Sequence, residues 1–143
     1  MDRIGTRNGA PGFYTTGFTM IIIAFSPNTS HLMPRIFCRH LRHCAPIMCI
    51  APNRYIMYQF VRRGYIATIY LSLRAIQILH AHGWKFICVQ GRALPRDMLR
   101  CARKCRTCVA LCKTAIRYNA PCVITPSGLF KKMRADGAHD LFL

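Results

Sequence analysis

The chain contains no glutamate, and aspartate occurs only at positions 2, 97, 136 and 140. Between Arg3 and Arg96 there is no acidic residue at all, so nothing there can balance the lysines and arginines. Charged residues make up 17% of the sequence, below the roughly 25% usual in soluble chains. No stretch reaches the ~20 apolar residues that a membrane-spanning helix needs. The nearest candidate, Tyr65 to Ala81, carries Arg74 near its centre; an arginine at mid-bilayer costs about 2.5–3.5 kcal/mol even on a lenient scale. The apolar run Phe18 to Phe25 is short for a signal peptide. Internal repeats and low-complexity tracts are also lacking. A soluble chain without a membrane span is the expectation.

What is present is positive charge. Lys and Arg total 21 against four acids, a formal charge of +17. Such a field attracts polyanions: RNA, DNA, acidic lipid or phosphorylated small molecules. A composition drifting under little selection gives the same imbalance. Nine cysteines, an odd count without an export signal, point to a reducing compartment and a cytoplasmic location.

Read in order, residues 1–16 hold Gly, Pro and polar residues and form an irregular lead-in. Thr19 to Phe25 reads as a strand, Pro34 to Cys44 as a short basic helix, and Pro46 to Ala51 as a strand. Tyr55 to Arg63 is ambiguous between helix and loop. From Tyr65 to His82, residues Ile66, Ile69, Tyr70, Leu73, Ile76 and Leu79 fall on one helical face, and Gly83 stops the run. Trp84 to Gln90 reads as a strand. A long helix from Pro95 carries Met98, Cys101, Cys105, Cys108, Cys112 and Ala115 at spacings of three and four. Pro121 to Thr125 reads as another strand, Pro126 to Arg134 as a short basic helix, and Ala138 to Leu143 as a last strand. Strands joined by crossover helices imply parallel pairing. The predicted fold is therefore α/β with about four parallel strands. Residues 1–45 form a lead-in or linker and 46–143 the folded domain.

Several short motifs carry a resemblance. They are Met48-Cys49-Ile50-Ala51-Pro52-Asn53-Arg54, Ala75 to Gly83, Phe86 to Pro95, Ala110-Leu111-Cys112, and Ala135-Asp136-Gly137-Ala138-His139. Taken in order, they resemble the first half of the thiamine-phosphate synthase family, most closely the version fused behind a Nudix domain. The resemblance implies that 46–143 is half of a (β/α)₈ (TIM) barrel. In intact relatives it implies a Mg²⁺-dependent transfer joining a pyrimidine diphosphate to a thiazole phosphate. It places Gln90, Arg92, Thr125 and His139 at the substrate-binding mouth. Thr125 and Pro126 stand where the family has Asn-Asp, and neither replaces a carboxylate on a hard cation. The expectation is an inactive chain that binds no Mg²⁺, with no catalytic or metal residue and with residual phosphate affinity through Arg92. Half a barrel leaves open strand edges, so it is expected to self-associate or recruit residues 17–25 as an extra strand. The same resemblance makes the chain a truncated relic or one part of a split protein.

Two other functions compete. Cys101, Cys105 and Cys108 have the spacing of an iron–sulfur motif, with Cys112 as a fourth ligand. On one continuous helix these thiols would form a stripe about 16 Å long, which suits a buried face better than a cluster. His31, His40 and His43 with Cys38, Cys44 and Cys49 include no Cys-x₂-Cys pair to anchor zinc. Opposite the cysteine stripe lie Arg100, Arg103, Lys104, Arg106 and Lys113. They are a solvated face or a phosphate-contact surface, and no aromatic base-stacking motif accompanies them.

Overall fold

The computed structural model describes residues 19–28, 41–62, 65–91, 98, 100 and 103–142. Among these, the order is β1 (Thr19–Ser26), β2 (His43–Ala51), β3 (Arg54–Arg62), β4 (Tyr65–Leu71), α1 (Leu73–Ala81), β5 (Lys85–Gly91), α2 (Cys108–Ala115), α3 (Pro126–Ala135) and β6 (His139–Asp140). The strands form one sheet in the order β4-β3-β2-β1-β5-β6. Every neighbouring pair in it is antiparallel.

β1 lies inside the sheet because its residues are apolar on both sides. Ile21, Ile23 and Phe25 face one core, with Met48, Ile87, Val109, Leu111, Leu129 and Met133. Ile22 and Ala24 face the other, with Ile47, Met57, Ile76 and Phe86. A strand apolar on both faces belongs where both faces are covered. Here α2 and α3 pack on one side and α1 on the other. Each of the three isoleucines is at most 1% exposed, and burying such a side chain contributes about 1.5–3 kcal/mol.

This sheet overturns the parallel half-barrel and with it the TIM-barrel reading. Three local misreadings explain the difference. The stretch from Tyr65 onward is β4 followed by α1, not one helix. Its first half is rich in β-branched and aromatic residues, which suit a pleated surface. Ser72 then caps the helix, its hydroxyl accepting from the Ala75 N–H at 3.2 Å. Asn53 sits at φ 57° in the turn between β2 and β3, and its side chain accepts from the Leu73 N–H at 2.8 Å. Hairpin and helix start are thereby tied together. The ambiguous segment Tyr55 to Arg63 is strand β3 as far as Arg62.

The second misreading is the strand at 121–125. Those residues form turns leading into α3, and Ile124 is 77% exposed. The Val123 carbonyl, and that of Ala120 just before the segment, are taken by the Lys113 ammonium at 2.9 Å each, not by a neighbouring strand. Without that strand there is no βαβ unit. The third is the long cysteine-lined helix. Met98, Arg100, Arg103 and Lys104 are helical, but the backbone leaves the helix at Cys105. Thr107 then starts α2 in an extended conformation, its hydroxyl accepting from Ala110 N–H at 3.0 Å.

Thr19 to Phe25, Pro46 to Ala51 and Trp84 to Gln90 are strands as read from sequence, within a residue or three at each end. The helix from Pro126 is also as read. Most of the segment Pro34 to Cys44 lies outside the described residues, and its last two residues begin β2. The boundary placed between Ala45 and Pro46 falls inside β2, which pairs with β1 on its upstream side.

Candidate functional site

The four residues placed at a substrate mouth are not gathered into one site. Arg92 lies outside the described residues. Gln90 is exposed near the end of β5, opposite Met20. His139 is exposed on β6, paired with Cys88 of β5, so Gln90 and His139 are on neighbouring strands. Thr125 belongs to no strand; it caps α3, its hydroxyl accepting from Gly128 N–H at 3.0 Å. That hydroxyl is spent on the helix, and Pro126 beside it offers no side-chain donor atom. Among the described residues no group of three or more His, Cys, Asp or Glu is placed to hold a metal ion. Thr125 and Pro126 therefore do not fit as ligands of the Mg²⁺ that the resemblance implies.

The cysteines converge more than their sequence spacing shows. α2 packs on β2, bringing Cys108 and Cys112 against Cys44. Cys108 hydrogen-bonds with both Cys44 and His43, and Cys112 also bonds with Cys44. The Cys108 thiol is pushed well above its ordinary acidity constant, first by the bond to Cys44 and then by burial. Burial likewise raises Cys112 and Cys88. Thiols held protonated are poor nucleophiles and poor metal ligands. Cys105 and Cys112 are 5% and 0% exposed and sit among Met98, Val109 and Leu129 in the core. Cys101 lies outside the described residues. In the sequence Cys44 stands out only as a member of a weak zinc set; its role as the hub of these contacts depends on how α2 lands on β2.

The basic residues take the opposite position. Cys105 and Met98 are pulled into the core, which leaves Arg100, Arg103, Lys104 and Arg106 around them exposed. Arg117 is also exposed, held at φ 51° just beyond α2. Lys113 departs from the expected set, because its ammonium is occupied by two carbonyls. Beside it an open groove of about 460 Å³ is lined by Ala110, Lys113, Thr114, Arg117, Tyr118 and Asn119. Both acids of the described residues are already engaged. Asp136 accepts from Lys132 at 2.5 Å and from the Tyr118 hydroxyl. Asp140 pairs with Arg134 through one oxygen, while its other oxygen is buried with no hydrogen-bond partner. The Lys132 ammonium and the Tyr118 hydroxyl hold the Asp136 carboxyl below its usual range. Burial and the neighbouring carboxylate push the Tyr118 phenol up to about 12.

No helix among the described residues is long and apolar enough to cross a membrane. No protein-family model, curated protein or solved structure matches this chain. The resemblance to thiamine-phosphate synthases therefore stands on its quoted motifs alone.

Proposed function

We propose that this protein binds nucleic acid through the phosphate backbone, using the exposed cations that run from Arg100 through Arg106 and on to Arg117 and α3. The observation that carries this reading is the state of the acids. Asp136 and Asp140 each already hold a cation of α3, so Arg100, Arg103, Lys104, Arg106 and Lys131 face solvent without a carboxylate ion pair among the described residues. Solvent-facing arginine and lysine without carboxylate partners gain most from phosphate oxygens, because binding releases the counterions condensed on the polyanion. Recognition of this kind follows the backbone and not the base sequence.

Salt dependence is the test. Fluorescence anisotropy with an RNA hairpin and a DNA duplex should show affinity falling steeply between about 50 mM and about 200 mM salt, by roughly 10³-fold if six phosphates are contacted. Replacing Arg103, Lys104 and Arg106 together by Gln should lower the salt slope by about one for each phosphate no longer neutralised. A flat salt response, or a slope unchanged by the triple substitution, defeats the proposal.

A further inference from the structure

Among the described residues β4 has a strand neighbour on one side only. Its inner edge is paired to β3 at seven positions, from Tyr65 opposite Arg62 to Leu71 opposite Tyr55. On its outer edge the backbone N–H and C=O groups have no strand partner among the described residues. Natural edge strands are usually blunted by charge, proline, a bulge or short length. The far edge of this sheet follows that rule, since β6 has only two residues. β4 has seven, Tyr-Ile-Ala-Thr-Ile-Tyr-Leu, with no charge, proline or glycine. Four of its side chains are exposed, Tyr70 at 74%, Tyr65 at 59% and Ile69 at 37% among them.

We propose that β4 is a self-association edge: two copies of this chain pair their β4 strands antiparallel about a two-fold axis at Thr68, forming one continuous sheet. The argument for a second copy as occupant is the symmetry of the segment. Centred on Thr68, this register uses all seven residues. Thr68 stands opposite Thr68 of the second copy, Ile66 opposite Tyr70, Ala67 opposite Ile69 and Tyr65 opposite Leu71. Paired residues keep the same face, so aromatic meets aliphatic on both sides and no charge is placed across the seam. Ile66 already packs with the core beneath α2 and α3, and Leu71 with the core beneath α1. Each face of the sheet therefore meets the same face of the second copy across the junction. Among the described residues, the cations flanking β4 are Arg62 and Arg74, both exposed. Salt screens their mutual repulsion. Self-association should accordingly strengthen as salt rises, the reverse of phosphate binding, so the two proposals fail independently.

The test is sedimentation velocity on the full chain after nuclease treatment, over a concentration series at low and high salt. Wild type should be dimeric, and more so at high salt. Thr68→Lys places like charges face to face at the axis and should weaken the dimer about fivefold or more; the site is exposed, so the fold should survive. Thr68→Cys puts two thiols directly opposite, at a Cβ separation of about 4.5–5.5 Å. Mild oxidation with oxidised glutathione should then link the copies through position 68. The control Ile78→Cys, on the exposed side of α1, should not link. A monomer at every salt concentration overturns the proposal, as does a dimer that Thr68→Lys leaves unchanged, or cross-linking at 68 no better than at 78.

Discussion

β1 and β4 are close relatives in composition and opposites in placement. Thr-Met-Ile-Ile-Ile-Ala-Phe-Ser and Tyr-Ile-Ala-Thr-Ile-Tyr-Leu are both uncharged, β-branched and free of proline and glycine. In β1 every residue from Ile21 to Ser26 is at most 1% exposed. In β4 four of seven are exposed and none is buried. Propensity makes both of them strands, but it does not choose the centre or the edge. That choice comes from the flanking layers: β1 has α2 and α3 over one face and α1 under the other, while β4 lies at the margin of both, its Ile66 and Leu71 only half-buried against the two cores. Similar sequences therefore contribute unequally to stability, and the inequality can be measured.

The largest expected difference is in paired truncations. Ile23→Ala removes three heavy atoms from a fully buried site and should cost about 2–5 kcal/mol in urea unfolding. Ile69→Ala, on the edge, should stay within about 0.5–1 kcal/mol. Equal losses at the two sites would mean that β4 is buried in solution, as it would be in a tight dimer at the concentration used. The measurement should therefore be repeated at low protein concentration.

A smaller effect addresses why β4 ends where it does. Ser72 stops the strand by capping α1, so Ser72→Ala should cost about 1 kcal/mol. Hydrogen exchange should speed up at the first turn of α1 and in the adjoining end of β4, with β1 unchanged. A uniform drop in protection across the sheet would contradict the local role given to this cap.

The smallest effect is alkaline. β1 has no titratable side chain. On β3, next to β4, Tyr58 lies opposite Thr68 and is 3% exposed; burial, then the neighbouring Tyr70, pushes its phenol above the ordinary value. A phenol whose folded acidity constant exceeds the unfolded value of about 10 supports the fold fully below that pH and loses the contribution as pH rises through it. Stability should therefore decline above about pH 10, and Tyr58→Phe should remove part of the decline. An identical alkaline slope in Tyr58→Phe would place the decline elsewhere, with Tyr118 and Tyr55 as the next residues to replace.

Much of the local structure is legible in the sequence. Three short apolar runs bounded by Gly, Pro or Asn are strands, and Pro126 opens a helix. The misreadings share a cause: a spacing of three and four residues also occurs by chance in a strand followed by a helix. Ile66, Ile69 and Tyr70 continue into Leu73, Ile76 and Leu79 as one stripe, although Ser72, a capping residue, divides it. Thr107 divides the cysteine stripe in the same way. At Pro121 to Thr125 the residues suit a strand, but Lys113 on the preceding helix takes the Val123 carbonyl and that of Ala120 before it. No local pattern signals that. The basic surface is visible as charge; that Lys113 does not belong to it, and that Cys44 joins Cys108 and Cys112, is not.

By itself the sequence determined which segments are apolar and the strong positive charge. These are properties of single residues and their nearest neighbours. Only the tertiary structure decided that the strands pair antiparallel, that β1 is central and β4 peripheral, and that the cysteines lie inward with the arginines outward. Strand order is selected by contacts between segments far apart in the chain, such as Ile22 with Cys88 or Cys44 with Phe25. The energy of such contacts depends on which faces the helices cover, and neither strand carries that information alone.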